Sequence, residues 1–288
     1  MLTSNHTKPA TQLVARMRTC PTFVINMVRD VERREHMSRE LDAAGIRADF
    51  VAATDGRALS SDDRARYDAR RAMRIYGIGM MDPEIGCYLS HYRLYERIVR
   101  ENISVALILE DDLAISPTLP AIVSDLLADP DPTWLVVRFE SKRGRVLHPR
   151  TAREHGVLVR TLRDGELRQI GVHVLGLGGY LIRAEGARRM LRYGSRIFMP
   201  IDQTMDRFWE NGIVPYVVRP FPVRQRGEME TRSGTREPSR KLGQPIFVRS
   251  LRRLQRLADS VQKRLFVMRL ARRQLPPADR SEPHEPSS

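Results

Sequence analysis

Apolar residues near the start of the chain fall into two periods. Thr22–Asn26 is a short continuous run built on Phe23-Val24-Ile25, and it predicts a buried strand ending at Asn26. Asp30 to Ala44 has helical spacing and is stopped by Gly45. Ala48 to Ala52 predicts a second strand, followed by Thr54-Asp55-Gly56, which is turn chemistry. The opening is therefore β-α-β, with a crossover length suited to a parallel sheet.

Further along, Ser60 to Arg74 is highly charged and reads as helical. Glu84 to Val99 places Ile85, Leu89, Tyr92, Tyr95 and Val99 on roughly one helix face. Ser104 to Leu109 is the strongest strand signal, and Trp134 to Phe139 is another. Lys142 to Arg168 is basic and turn-rich and yields no clear element. Glu185 to Leu191 and Pro200 to Asn211 predict short helices, and Val214 to Val218 a last strand. Pro220 to Pro245 lacks a period and reads as a mobile loop, and Phe247 to Met268 returns to helical spacing. Strands alternating with helices give an α/β class. The expected organisation is a loose arm over 1–20, a main α/β domain over 21–225, a mobile loop over 226–245, a basic amphipathic helix over 246–274 and a disordered tail over 275–288.

At 288 residues, 41% hydrophobic and 29% charged, the chain can bury a core without disulfides or structural metal. Its two cysteines, Cys20 and Cys87, form no paired motif and read as reduced thiols of a cytosolic protein. No run approaches the ~20 apolar residues of a membrane span, and no signal-type stretch follows the N-terminal charges, so export is not expected. Of the net charge of +14, +10 lies between Arg219 and Ser288, where 17 Lys/Arg face 7 Asp/Glu. A polyanionic partner would meet that tail rather than the nearly balanced body.

The main chemical signal is Glu110-Asp111-Asp112, directly after the strongest strand. Adjacent carboxylates repel one another and are tolerated where they face water or share a cation. A solvated turn is the plain alternative. Ligands of open α/β sheets sit beyond the carboxyl ends of the strands, and carboxylates suit a hard ion such as Mg²⁺ or Mn²⁺. Strand alternation puts Glu110 and Asp112 on one side, as the candidate metal pair, and Asp111 on the other.

Several blocks in order carry a family resemblance. They are Phe23–Arg29 with Glu32-Arg33-Arg34, Glu84–His91, Ala106–Asp112, Gly179–Ile182 with Gly186-Ala187, and Pro200-Ile201-Asp202. Over about Thr22 to Gln225 the chain resembles glycosyltransferase family 25, the lipopolysaccharide glycosyltransferases related to the collagen galactosyltransferases. It departs conservatively at Met27-Val28, and also in the long basic segment 142–168 and the basic C-terminus, which bear on the acceptor rather than on the reaction class.

The resemblance implies a GT-A-like nucleotide-sugar-binding sheet with flanking helices. It also implies a divalent metal, a nucleotide-sugar donor of the UDP-hexose kind, and inverting transfer to a lipopolysaccharide or other glycan acceptor. It places Asn26, Arg29, Glu84, Ser90, His91 and Asp111 at the donor. Asp202 is then the candidate base on the acceptor hydroxyl, because the metal acids Glu110 and Asp112 are already committed. Structural alternatives stand beside each role. Arg29 and Arg33 also suit a helix start, Glu84 a helix N-terminus, His91 a core, and Asp202 a cap. Trp209 suits either core or sugar stacking.

In the tail, Phe247, Leu251, Leu254, Ala258, Val261, Leu265 and Met268 form one apolar stripe among nine Lys/Arg and one acid, Asp259. Such a helix suits an anionic membrane surface, which would place the protein peripherally on the cytoplasmic face of an inner membrane, or it packs its stripe on the body. A non-catalytic binder of nucleic acid or another polyanion would account for the charge. It leaves the carboxylates and the Glu84–His91 block without a role, so nucleic acid is not the expected partner.

Overall fold

The computed structural model describes residues 20–226 and 246–274. Strand β1 (Thr22–Asn26) is buried along its whole length. It pairs in parallel with β2 (Asp49–Ala52) on one side and β3 (Val105–Glu110) on the other. Helix α1 (Val31–Ala44) makes the crossover from β1 to β2 and ends at Gly45, whose φ of 65° needs a residue without a Cβ. Helix α2 (Asp82–Arg100) leads into β3.

The rest of the sheet is mixed rather than parallel. Beyond β3 and its successor β4 (Leu113–Ile115) come β5 (Val136–Arg138), the hairpin β6 (Val157–Leu162) and β7 (Gly165–Gln169), then β8 (Gly179–Arg183), β9 (Tyr216–Arg219) and β10 (Val223–Gln225). The main sheet runs β2-β1-β3-β8-β5-β9-β7-β6. β8 lies antiparallel between β3 and β5, while β9 is parallel to β5. The fold is mixed α/β, with helices on both faces.

Alternation along β1 divides the core between those faces. Phe23 and Ile25 join Tyr88, Leu89 and Tyr95 of α2 and Ile108 of β3 in one cluster. Val24 joins Met37 of α1, Leu107, Leu109, Trp134 and Ile122 of helix α3 (Leu119–Leu127) in the other. Each fully buried large side chain contributes about 1.5–3 kcal/mol relative to exposure. Strands β1 and β3 are covered on both sides, so β1 is buried to its last residue and only Glu110, at the end of β3, is partly exposed.

Four elements depart from expectation. The helix over 60–74 breaks into short turns, because the Asp68 side chain accepts the Arg71 N–H at 2.8 Å and starts a new turn. Segment 142–168 contains the β6–β7 hairpin, which extends the sheet edge through β9. The helix over 200–211 splits into α5 (Ile201–Met205) and α6 (Phe208–Asn211), after α4 (Ala184–Tyr193). At the break, Asp206 and Arg207 turn to ion pairs instead. Residues 223–225, expected in the mobile loop, form β10 and pair antiparallel with β4. The loop over 227–245, the tail over 275–288 and the arm over 1–19 lie outside the described residues. Cys20 is buried in the body, and both cysteines are free. The basic helix is α7 (Ile246–Gln274). Among the described residues, no helix is long and apolar enough to cross a membrane.

Candidate active site

A cleft of about 400 Å³ opens at the carboxyl ends of β1 and β3. Glu110 lines it from the end of β3 and Asp111 and Asp112 from the turn that follows, while Arg29 lines it from the turn before α1 and Arg33 from the first turn of α1. Asp55 and Arg57 contribute from the turn after β2, Cys87, Ser90 and His91 from α2, and Lys142 from beyond β5.

The three acids have three environments. Asp111 is buried, accepting a 2.7 Å hydrogen bond from Asn26 Nδ2 and one of 2.9 Å from Arg33 Nη1. Arg33 Nη1 also lies 3.5 Å from Asp112 Oδ2. Asp112 Oδ1 is buried and has no hydrogen-bond partner among the described residues. Burial, and then the charge of Glu110, push the Asp112 carboxyl up to about 6 despite Arg33. Burial would raise Glu110 too, but the facing His91 imidazole and the charges of Lys142 and Arg33 bring it below its usual value. From the other side, the Arg226 N–H donates to Asp112 O at 3.0 Å, so β10 helps to shape this turn.

Helix α2 builds the opposite wall. His91 is 1% exposed, with Nε2 facing Glu110 Oε1 at 3.5 Å and Nδ1 2.8 Å from the Tyr180 hydroxyl. That hydroxyl lies 2.9 Å from Tyr95 Oη, so a buried polar chain stands behind Glu110. Ser90 Oγ accepts the Thr54 N–H and donates to Gly86 O, both at 2.8 Å. A Cβ on Gly86 would lie 2.6 Å from Gly56 N and 2.7 Å from Thr54 O. Gly86 therefore admits the 54–57 turn, and Ser90 pins it. Glu84 Oε2 accepts the Met81 N–H at 2.9 Å and caps the helix. Arg29 is half exposed at the mouth and pairs with Asp55.

A third group lies around Lys142. Its ammonium is sunk enough that burial opposes the charge, yet Glu110, Glu140, Asp202 and Asp112 together hold its pKa above the usual lysine value. Glu140 is buried, and its Oε1 accepts the Gly178 N–H at 2.6 Å. Burial, then the charge of Glu110, raise its carboxyl to about 7. Asp202 accepts the Gly176 N–H at 3.0 Å and the Gln203 N–H at 2.8 Å. Beneath it, the buried pair Arg138–Asp206, 3.0 Å apart, holds the same loop. Asp206 accepts the Leu175 N–H at 2.9 Å, and Arg138 donates to Gly176 O at 3.0 Å. Leu175 needs such anchoring, since its φ of 56° is left-handed and disfavoured for a branched side chain.

Residues 19–205 match the family model described as glycosyltransferase family 25 (LPS biosynthesis protein). The chain belongs to glycosyltransferase family 25. Similar curated proteins include a "Glycosyltransferase 25 family member" of Anopheles gambiae, 31% identical over 66% of this chain and 31% of that one. "Procollagen galactosyltransferase 1" of Danio rerio is 24% identical over 70% of this chain and 33% of that one. "Probable inactive glycosyltransferase 25 family member 3" of Bos taurus is 26% identical over 83% of this chain and 42% of that one. The chain thus spans about a third to two fifths of the length of these relatives.

Within this family 25 chain, Arg29, Ser90, His91 and the three acids gather around one cleft. Asn26 stands behind it and holds Asp111. Glu84 lies at the helix start, and Asp202 lies beyond Lys142. Trp209 is not a free platform. Its ring packs 5.5 Å from His173 and lies under Lys263 of α7, whose Nζ is 5.8 Å from the ring centroid. Sequence reasoning missed Lys142, Glu140, Arg138 and Asp206. The first two sit just past β5, where carboxyl-end position was the available signal. Arg138 is a charged residue inside an apolar strand.

Proposed function

We propose that this chain transfers a hexose from a nucleoside-diphosphate sugar to a hydroxyl of a glycan acceptor. The supporting observation is the acid cluster at the carboxyl end of β3. Asp112 keeps a buried oxygen without a partner and a raised pKa beside the charge of Glu110. A divalent cation relieves both conditions, and its preference for hard oxygen ligands matches the donor set. Glu110 and Asp112 are the residues that would hold Mn²⁺ or Mg²⁺. Bound there, such an ion would supply positive charge to offset that of a departing diphosphate.

The chain's own residues take the other roles. His91 orients Glu110 from behind, as partners of metal-binding carboxylates do. Asn26 and Arg33 hold Asp111 and keep the turn in shape. Arg29, at the mouth, meets the base or diphosphate of the donor, and Lys142 supplies a second cation to the leaving group. Glu84 and Ser90 act on the donor through the wall they hold, α2 and the 54–57 turn. In the transfer, the acceptor oxygen forms a bond to the anomeric carbon. The bond from that carbon to the phosphate oxygen breaks, and its electron pair leaves with the nucleoside diphosphate. Asp202 receives the acceptor's proton, and attack from the opposite face inverts the anomeric centre. Glu140 is the rival base, favoured by a pKa of about 7.

A GT-A-type sheet with UDP-galactose or UDP-glucose as donor follows from the same reading, as does a lipopolysaccharide or related glycolipid acceptor. The family description names LPS biosynthesis, and one relative is named a galactosyltransferase. The test is a panel of nucleotide sugars incubated with Mn²⁺ and a soluble acceptor glycan, with product stereochemistry read by NMR. Release of nucleoside diphosphate with an inverted glycoside supports the proposal. No release from any nucleotide sugar under any metal condition contradicts it.

A further inference from the structure

Helix α7 docks on the body through a face that mixes polar and aromatic contacts. Arg252 donates to Tyr76 O at 2.7 Å, and Asp259 accepts two hydrogen bonds from Arg207 at 2.8 and 2.9 Å. Lys263 covers Trp209, and the Phe266 ring lies 5.6 Å from that of Phe208. At about 100° per residue these positions share one face. The apolar stripe points the other way. Leu254, Leu257, Val261, Leu265 and Met268 are 64%, 64%, 55%, 45% and 48% exposed. Val261 is roughly 160° round the helix from Asp259. Exposed arginines rim the stripe, Arg253 and Arg264 on one side and Arg269 on the other.

This is the reverse of an ordinary surface helix, which turns its apolar face inward. A row of five large apolar side chains bordered by cations marks an interaction surface. We propose that α7 seats the protein on an anionic lipid surface through this outward stripe. The apolar row enters the acyl boundary, and the arginines meet lipid phosphates. Charge complementarity selects this occupant. Two copies placed stripe to stripe would bring arginines against arginines. Nucleic acid would satisfy the arginines but give the apolar row nothing. The proposal does not depend on the transfer reaction.

The test uses the full chain in flotation with vesicles of phosphatidylglycerol and phosphatidylcholine, against vesicles of phosphatidylcholine alone. The wild type is expected to float with the anionic vesicles and to be largely released by high salt. V261E combined with L265E touches no docking contact. It should lower vesicle partition at least tenfold while leaving the melting temperature and the mass in solution unchanged. R253Q, R264Q and R269Q together should lower partition by a similar factor, and they provide the reading if the first variant fails to fold. Wild-type protein that ignores anionic vesicles overturns the proposal, as does unchanged partition in either variant. A wild-type dimer that V261E with L265E converts to monomer also overturns it, by showing a second copy on the stripe. So does a nucleic-acid shift without vesicle binding.

Discussion

Asn26 donates a 2.7 Å hydrogen bond to Asp111, joining the end of β1 to the turn after β3 across 85 residues of sequence. A hydrogen bond to a buried charged partner is worth about 1.5–3 kcal/mol. Asn26→Ala should therefore lower stability by that order and leave Asp111 to Arg33 alone. Thermal denaturation and donor titration check it together. The account expects a lower melting temperature and weaker donor binding. Unchanged donor affinity would remove Asn26 and Asp111 from the donor site.

Asp112 gives a pH-dependent prediction. Its folded pKa of about 6 lies above the unfolded carboxylate value of about 3.9. The folded state binds the proton more tightly, so this contribution to stability is full below about pH 4 and lost as pH rises through about 6. Asp112→Asn carries no such charge. In metal-free buffer at pH 7.5 the variant should be more stable than wild type, by on the order of 2 kcal/mol, with the gap closing below pH 4.5. Denaturant melts across that range measure it. A gap independent of pH would contradict the electrostatic reading of the site.

Much of the site half of the molecule was legible because local period and burial agree there. β1, α1, β2 and β3 each carry one pattern, and the acids follow a strand too apolar to be misread. The misreadings arose where distant partners decide the outcome. In the β6–β7 hairpin, Arg160, Arg163 and Arg168 obscure the alternation, although Val157-Leu158-Val159 and the turn residues Asp164-Gly165 were available signals. Lys142 reaches the site only because the loop before β8 folds back beside Glu140, its backbone N–H donating to Leu175 O at 3.2 Å. The inward and outward faces of α7 are set by Arg207, 52 residues before its partner Asp259. Hydrophobic spacing along the helix itself leaves both orientations open.

The choice of catalytic base separates two carboxyls. Asp202→Asn should lower turnover by roughly 10²–10⁴ with donor affinity little changed. Glu140→Gln keeps an oxygen for the Gly178 N–H and should retain most activity. Initial rates for both variants from pH 5 to 9 decide between them. Loss of turnover in Glu140→Gln, with disappearance of a rate transition near pH 7, would transfer the role to Glu140.

The Arg138–Asp206 pair is a structural support with a large expected cost. Arg138→Met leaves a buried carboxylate without its partner, which costs about 3–5 kcal/mol. Adding Asp206→Leu removes that orphaned charge and should recover part of the stability, but not the anchor of Leu175. Chemical denaturation of the single and double variants tests this. Additive losses would show that the two side chains do not act as a pair.

Calorimetric titration of a nucleoside-diphosphate hexose, with and without Mn²⁺, most directly tests the donor cleft. Wild-type protein should bind the donor in the presence of Mn²⁺ and much more weakly in chelator. Asp112→Asn should show the weak value under both conditions. Equal donor binding by wild type and Asp112→Asn, unaffected by Mn²⁺, would contradict the placement of metal and diphosphate at the end of β3.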